Sequence, residues 1–380
     1  MPSEELARII HVSDFHLFVD ALGNDDDARA RSALVKLAVG AAQQNCAPAW
    51  FRALVRGFNT HSRQTLDAFL ATLSALVRDV QTGKKVVVQT GDVEAFGWLR
   101  RGAFRGFDYW ASKRQQLKDG SEFVDIYGNH DVWPGTLPGA DPLSADVVEL
   151  LLLQRPEFAD LLPDKTVVRT TTCLLEFYRV NTIRSGFVAN TMAYGRIAAD
   201  RRITGRDVYP HSRSNDPFME LAALARDHQT TTLPIVRILV MHHPPHFFHA
   251  SASVKDLAEG PLENGNELQG VLTTRRFHLL LAGHRHRVDP SPGVQLTPTE
   301  YGRPQAPLPN TTVQLVAGTA TQMIEDTEHE RPSFNTYVLI LQRPSMTLEV
   351  SRIVYRHPNP SYDQFQAGRA EIVASGIPLV

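Results

Sequence analysis

The chain has 380 residues, of which 43% are hydrophobic and 21% charged, and its formal net charge is −2. The two cysteines exclude a disulfide framework, and the most apolar stretches, such as 148–153, are too short to span a bilayer. The first residues, MPSEELARII, are unlike a secretory signal, so we expect a cytoplasmic protein. The chain has no excess of basic residues, so its composition does not indicate a nucleic-acid or membrane partner.

Hydrophobic periodicity predicts alternating strands and helices along most of the chain, which is typical of an α/β architecture. The predicted elements in chain order are a strand at 7–13, a helical insertion at 20–62, a helix at 64–81, a strand at 86–89, a helix at 103–118, strands at 123–127 and 173–180 separated by a helix at 146–153, a helix at 215–228, and strands at 235–241 and 277–281. A C-terminal β segment at 312–356 follows. Its lack of helices indicates a second sheet packed against the first. No repeat or linker divides the chain, so we expect a single domain over 1–380.

Polar clusters follow five of the predicted strands. They are Asp14-Phe15-His16, Gly91-Asp92, Gly128-Asn129-His130-Asp131, His242-His243-Pro244 and Gly283-His284-Arg285-His286. Ligand sites in open α/β sheets gather at the carboxyl ends of strands, so these clusters are expected to meet. They offer oxygen and imidazole nitrogen but no thiolate, which suits Mn, Fe, Zn, Co or Ni.

Two local features of the clusters favour a shared centre. In D-x-H and H-x-H, alternate residues of an extended segment point the same way, so both can face one ion. The glycines before Asp92, Asn129 and His284 allow the backbone to turn sharply where each strand ends.

The five clusters, in this order, resemble the calcineurin-like metallophosphoesterase family. Its pattern D-x-H … GD … GNH(D/E) … H … G-H-x-H is met in full over about residues 7–287. One block alone would be weak evidence, whereas five in order are a strong signal. The resemblance implies a four-layer α/β/β/α sandwich of two mixed sheets flanked by helices, with the active site at the strand C-terminal ends.

The resemblance also implies a role for each motif residue. Asp14, His16 and His286 are expected to bind one divalent or trivalent metal ion, Asn129, His242 and His284 a second, and Asp92 both. Two such ions clamp a phosphate and make hydroxide accessible at neutral pH for in-line attack on phosphorus. His130, which is assigned to no metal, is expected to protonate the leaving oxygen, with Asp131 orienting it. His242 is preferred over His243 because the family places this ligand two residues before a proline, here Pro244.

Departures from the pattern argue against two branches of the family, the protein Ser/Thr phosphatases and the purple acid phosphatases. The run after Asp92 lacks the Asp-Arg pair of protein Ser/Thr phosphatases, and Ala95 stands where purple acid phosphatases have a tyrosine ligand. Those phosphatases also lack the histidine of D-x-H. We therefore expect a phosphodiesterase acting on a small molecule such as a cyclic nucleotide. A phosphomonoesterase or nucleotidase, a nuclease, and a metal-bound scaffold without turnover are the alternatives, and the sequence gives no indication of oligomeric state.

Overall fold

The computed structural model describes residues 3–17, 63–79, 83–94, 104–132, 165–182, 197, 217–225, 232–245, 262, 265–285, 294–296, 299–300, 303–304, 312–321, 331–358 and 363–379. The insertion expected at 20–62, the helix expected at 146–153, and His286 lie outside these residues.

The described elements largely follow the predicted order. The strands are β1 (Ser3–Val12), β2 (Lys84–Thr90), β3 (Glu122–Ile126), β4 (Lys165–Arg169), β5 (Leu174–Arg179), β6 (Ile235–Val240), β7 (Leu279–Ala282), β8 (Val294–Leu296), β9 (Thr299–Glu300), β10 (Arg303–Pro304), β11 (Thr312–Val316), β12 (Ser333–Gln342), β13 (Thr347–Arg356), β14 (Gln366–Ala367) and β15 (Glu371–Pro378). The helices are α1 (Arg63–Arg78), α2 (Arg105–Leu117), α3 (Asn129–Val132), α4 (Pro217–Leu224) and α5 (Gly265–Thr274), and a 3₁₀ turn at Lys118–Gly120 follows α2.

The strands form two mixed sheets. In the first, the order is β14-β13-β12-β1-β2-β3, with β15 also paired to β13; β1, β2 and β3 are parallel and β12 is antiparallel to β1. In the second, the order is β4-β5-β6-β7-β11-β8, with a parallel centre and antiparallel edges. The short strands β9 and β10 pair separately.

Side chains alternate along the central strands and so fill separate cores. In β1, Ile9 packs between the sheets with Ile238 of the second sheet, whereas Ile10 packs with Phe69 of α1. On the far face of the second sheet, Leu239 contributes to a third core with residues of α4 and α5. Each such buried side chain contributes about 1.5–3 kcal/mol, so the layers are held mainly by these cores. The predicted α/β/β/α sandwich is confirmed.

The structure corrects the predicted origin of the second sheet. The described strands of the C-terminal segment do not form it: β12 and β13 extend the first sheet, and among these strands only β11 joins the second. Strands β4 and β15 and helix α5 were not predicted; α5 begins at Gly265, which reads as part of an Asn-Gly turn in the sequence.

The sandwich places several strand ends at one edge. Strands β1, β2 and β3 run parallel in the first sheet, and β6 and β7 run parallel in the second. Each of the five ends shortly before one of the polar clusters. Among the described helices, none combines the length and apolar character that crossing a membrane requires.

Candidate metal centre

The two sheets bring their polar clusters together at this edge. Asp14, Asp92 and Asn129 follow strands of the first sheet, and His242 and His284 follow strands of the second. The backbone N–H of His284 donates a hydrogen bond of 3.1 Å to Asp14 Oδ2, which joins the two groups directly.

Three of the predicted ligands lie around a fourth, His242. Its Nε2 lies 2.8 Å from Asn129 Oδ1, 3.4 Å from Asp92 Oδ2 and 3.3 Å from His284 Nδ1. His242 is fully buried, and Asn129 is nearly so. These are the residues expected to hold the second ion, together with the bridging carboxylate.

The remaining described residues of the predicted ligand set, Asp14 and His16, also lie close to Asp92. His16 Nε2 lies 3.8 Å from Asp14 Oδ1 and 3.8 Å from Asp92 Oδ2. Asp92 Oδ2 therefore lies near a ring nitrogen of both His16 and His242. His286, the third expected ligand of this first ion, lies outside the described residues.

The donor set suits a cation. His242 Nδ1 lies 2.7 Å from the carbonyl oxygen of Thr90, which can only accept, so Nδ1 carries a proton, and Nε2 presents its lone pair to the centre when the ring is neutral. That lone pair faces Asn129 Oδ1 and Asp92 Oδ2, and among the described residues no hydrogen-bond donor is well placed on the buried Asp92 Oδ2. Converging acceptors of this kind fit a divalent metal ion.

The pKa shifts of Asp92 and His242 also indicate that the centre favours a cation. Burial opposes ionisation of Asp92, but His242, His130 and His16 outweigh it and hold the pKa of Asp92 below its usual range. Burial likewise lowers the pKa of His242, yet the Asp92 carboxylate outweighs burial and raises that pKa to about 9. The site thus favours positive charge, and a metal ion would take the place of the proton on His242, since histidine binds metals in its neutral form.

Four of the predicted ligands have a left-handed backbone. The φ angles are 54° at Asp14, 46° at His16, 56° at Asp92 and 71° at His284. The prediction that D-x-H is simply extended is therefore wrong, although both of its side chains still face one place. Left-handed conformations cost non-glycine residues about 1 kcal/mol each and persist where surrounding contacts fix them, often at functional sites.

The glycines of the motifs have two different roles. Gly91, with a φ of 104°, makes the sharp turn that the sequence predicts. Gly128 is required for space, because a Cβ there would overlap Asp92 Oδ1 and the Asp92 backbone nitrogen. The carboxylate can reach the centre only because position 128 has no side chain.

His130 and Asp131 follow Asn129 but point in different directions. The His130 ring stands perpendicular to the His16 ring, with centroids 4.6 Å apart, so it lies beside the centre. Asp131 is buried and accepts backbone N–H bonds from Gly128 (2.6 Å), Asp92 (3.0 Å) and Glu94 (2.7 Å). These bonds give Asp131 a part in holding the Asp92 loop, while its expected role in orienting His130 stays a prediction.

His243, which the sequence assigns to no metal, also lies beside the centre. Its Nδ1 is 2.8 Å from Thr182 Oγ1, and its ring centroid is 4.2 Å from that of His284. His242, His243 and His284 each place a ring nitrogen within 4.8 Å of the others. His243 therefore competes with His242 for the role of metal ligand.

Sequence reasoning missed the threonines that surround the centre. Thr319 and Thr321 follow β11 at the same edge and donate hydrogen bonds to the carbonyl oxygens of Asp14 and Phe15. They follow a parallel strand, and this position could have indicated them, as it indicated the predicted ligands.

Comparison with known proteins identifies the fold. No protein-family model and no curated protein matches the chain. A purple acid phosphatase from yellow lupin (Lupinus luteus) seeds is similar in structure, with a TM-score of 0.51 and 13% sequence identity over 96% of this chain and 53% of that chain. A provisionally named 5′-nucleotidase from Staphylococcus aureus, in complex with α-ketoglutarate, matches with a TM-score of 0.38 and 11% identity over 98% of this chain and 54% of that chain. The chain spans about half the length of each, and it shares its fold with the lupin protein.

Proposed function

We propose that the protein hydrolyses phosphoester bonds with two metal ions held in this centre. Asp14, His16 and His286 hold the first ion, Asn129, His242 and His284 hold the second, and Asp92 binds both. The position of Asp92 Oδ2, 3.8 Å from His16 Nε2 and 3.4 Å from His242 Nε2, is the observation that carries the proposal.

The ions and the protein have different roles in the proposed reaction. When bound, the ions neutralise phosphate charge and lower the pKa of water towards about 7, which supplies a nucleophile at neutral pH. The protein orients the ligands through buried contacts, such as that of His242 with the Thr90 carbonyl. His130 is only partly buried beside His16, so its imidazole can reach a bound ester and donate a proton to the leaving oxygen.

The fold supports this class of reaction. The chain shares its architecture with a protein named as a purple acid phosphatase. It departs from that branch at Ala95, which cannot serve as a tyrosine ligand, and at His16, which completes a D-x-H pair. The common fold thus supports phosphoester hydrolysis, while the ligand set favours another branch.

For the substrate, we propose a small phosphodiester such as a cyclic nucleotide. The net charge of −2 provides no overall attraction for a polyanion, which favours a small molecule over a nucleic acid. The nearly fully buried ligands, such as Asp14 and His16, suit a compact ester that approaches the ions closely.

The test is hydrolysis by metal-stripped protein reloaded with Mn²⁺, comparing bis-p-nitrophenyl phosphate with p-nitrophenyl phosphate. We expect two bound ions and faster turnover of the diester, both lost in Asp92→Asn. Asp125→Asn is the matched control: this buried carboxylate lies outside the centre and pairs with Arg114 at 2.7 Å, so its loss should spare metal binding. Turnover of the monoester alone favours a phosphomonoesterase, and two bound ions without turnover favour a scaffold. Failure to bind metal contradicts the proposal.

A further inference from the structure

Two buried threonines contact the loop that carries Asp14 and His16, two of the proposed metal ligands. Thr319 Oγ1 donates a 2.7 Å hydrogen bond to the Asp14 carbonyl oxygen, and Thr321 Oγ1 donates to that of Phe15. Both threonines are fully buried. We propose that Thr319 and Thr321 are positioning residues that hold Asp14 and His16 for metal binding, an inference that rests on the proposed function.

The loop needs such support because its backbone conformation is unfavourable. Asp14 and His16 both have left-handed φ angles, which the chain adopts only where neighbouring contacts impose them. On one side, the Asp14 N–H donates to the Gly91 carbonyl (3.0 Å) and the His16 N–H donates to the Asp92 carbonyl (2.9 Å). These bonds fix the N–H groups and leave the loop carbonyls to other partners.

The segment with the two threonines supplies those partners. Between the two side-chain bonds, the Ala320 N–H donates to the Ser13 carbonyl at 3.1 Å. Three consecutive carbonyls, those of Ser13, Asp14 and Phe15, therefore accept hydrogen bonds from residues 319–321. The loop is thus held on both sides.

The same segment connects the two sheets. It follows β11, and the Ala317 N–H donates to the Ala282 carbonyl (2.9 Å) at the end of β7, just before His284. The Ser333 N–H, at the start of β12 in the first sheet, donates to the Thr319 carbonyl at 2.7 Å. Since the ligands come from both sheets, this connection sets the position of Asp14 and His16 relative to His284.

The inference predicts an effect on metal binding that ordinary structural threonines lack. Thr312 provides the control: it is buried at the opposite end of β11, and its Oγ1 donates to the Phe277 carbonyl at 2.8 Å. Valine matches threonine in shape and replaces the hydroxyl with a methyl group, which cannot donate a hydrogen bond. Serine keeps the hydroxyl and should rescue binding.

The experiment measures Mn²⁺ binding by calorimetry and the Tm of metal-free protein for Thr319→Val, Thr321→Val, Thr312→Val and Thr319→Ser. We expect all three valine variants to lower the Tm. Only the first two should weaken one of the two Mn²⁺ sites, by about 10–100-fold, the range known for residues that support metal ligands. Thr319→Ser should bind Mn²⁺ as the wild type does.

Two outcomes overturn the inference while leaving the proposed function intact. One is wild-type binding of two ions with unchanged affinity in Thr319→Val and Thr321→Val. The other is an equal loss of affinity in Thr312→Val, which would indicate a general effect of destabilisation. If the wild type binds no metal at all, the proposed function fails, and this inference fails with it.

Discussion

The backbone N–H of His130 donates a 2.8 Å hydrogen bond to Asp92 Oδ1, so the main chain joins the proposed proton donor to the proposed bridging ligand. This bond uses no atom of the imidazole. The side chain of His130 can therefore be changed while the contact that holds Asp92 is kept.

His130→Ala should retain both metal ions and lose about 10²–10⁴-fold in kcat, because only general-acid assistance is removed. The loss should be largest for esters with poor leaving groups, such as alkyl esters, and smallest for p-nitrophenyl esters. Metal analysis alongside kinetics on both ester types checks this. Loss of an ion from the variant would show that His130 is a ligand.

Asp131→Asn should disturb the Asp92 loop. Both carboxylate oxygens of Asp131 accept backbone N–H bonds, whereas an amide has one accepting oxygen and would direct its NH₂ group at an N–H. An unsatisfied buried donor costs about 1–3 kcal/mol, and we expect weaker metal binding as well as a lower free energy of unfolding. Urea unfolding and Mn²⁺ titration measure the two effects. Normal metal affinity with the kinetic defect of His130→Ala would instead support the orienting role predicted from the sequence.

Comparing the alanine variants of His242 and His243 tests which of the two histidines is the metal ligand. His242→Ala should lose one of the two ions, because its Nε2 lies among Asn129, Asp92 and His284. His243→Ala should keep both ions and lose only the stability of its Thr182 contact, because Asn129 Oδ1 and Asp92 Oδ2 lie beside Nε2 of His242. Metal-to-protein ratios decide the matter, and the reverse pattern would transfer the ligand role to His243.

Buried neutral histidines should make the fold sensitive to acid. Burial, aided by the charge of Arg237, lowers the pKa of His278 from 6.5 to about 4. Between these values the unfolded chain binds a proton that the folded protein does not, so stability falls as pH falls through this window. His278→Asn can still accept the Arg237 N–H through Oδ1 and should reduce the stability lost between pH 7 and 5 by roughly 1–2 kcal/mol. Urea unfolding at both pH values checks this, and equal losses in wild type and variant would contradict it.

The polar clusters at the strand ends were predictable because strand-forming runs and the residues that follow them are local in sequence. The run that forms β6 is apolar apart from Arg237, and His242 follows it after one further apolar residue, Met241. Edge strands lack such a signal: Val167 of β4 and Ile372 of β15 are exposed, so neither strand has a clear buried face. The sheet that β12 joins depends on pairing with the distant β1, which no local pattern encodes.

The contacts of Asp131 were beyond sequence reasoning for a different reason. Its position next to His130 suggested a contact between the two, but adjacent residues in a helical turn such as α3 point in different directions. Asp131 instead turns back to the N–H groups of Gly128, Asp92 and Glu94. The left-handed conformations at Asp14 and His16 are likewise imposed by residues 91–92 and 319–321, far away in the chain.

Anomalous diffraction from crystals grown with Mn²⁺ tests the central claim most directly. The account predicts two Mn²⁺ peaks, one beside His16 and Asp14 and one beside His242 and Asn129, with the Asp92 carboxylate bound to both. A single peak, or two peaks that Asp92 does not join, would contradict it.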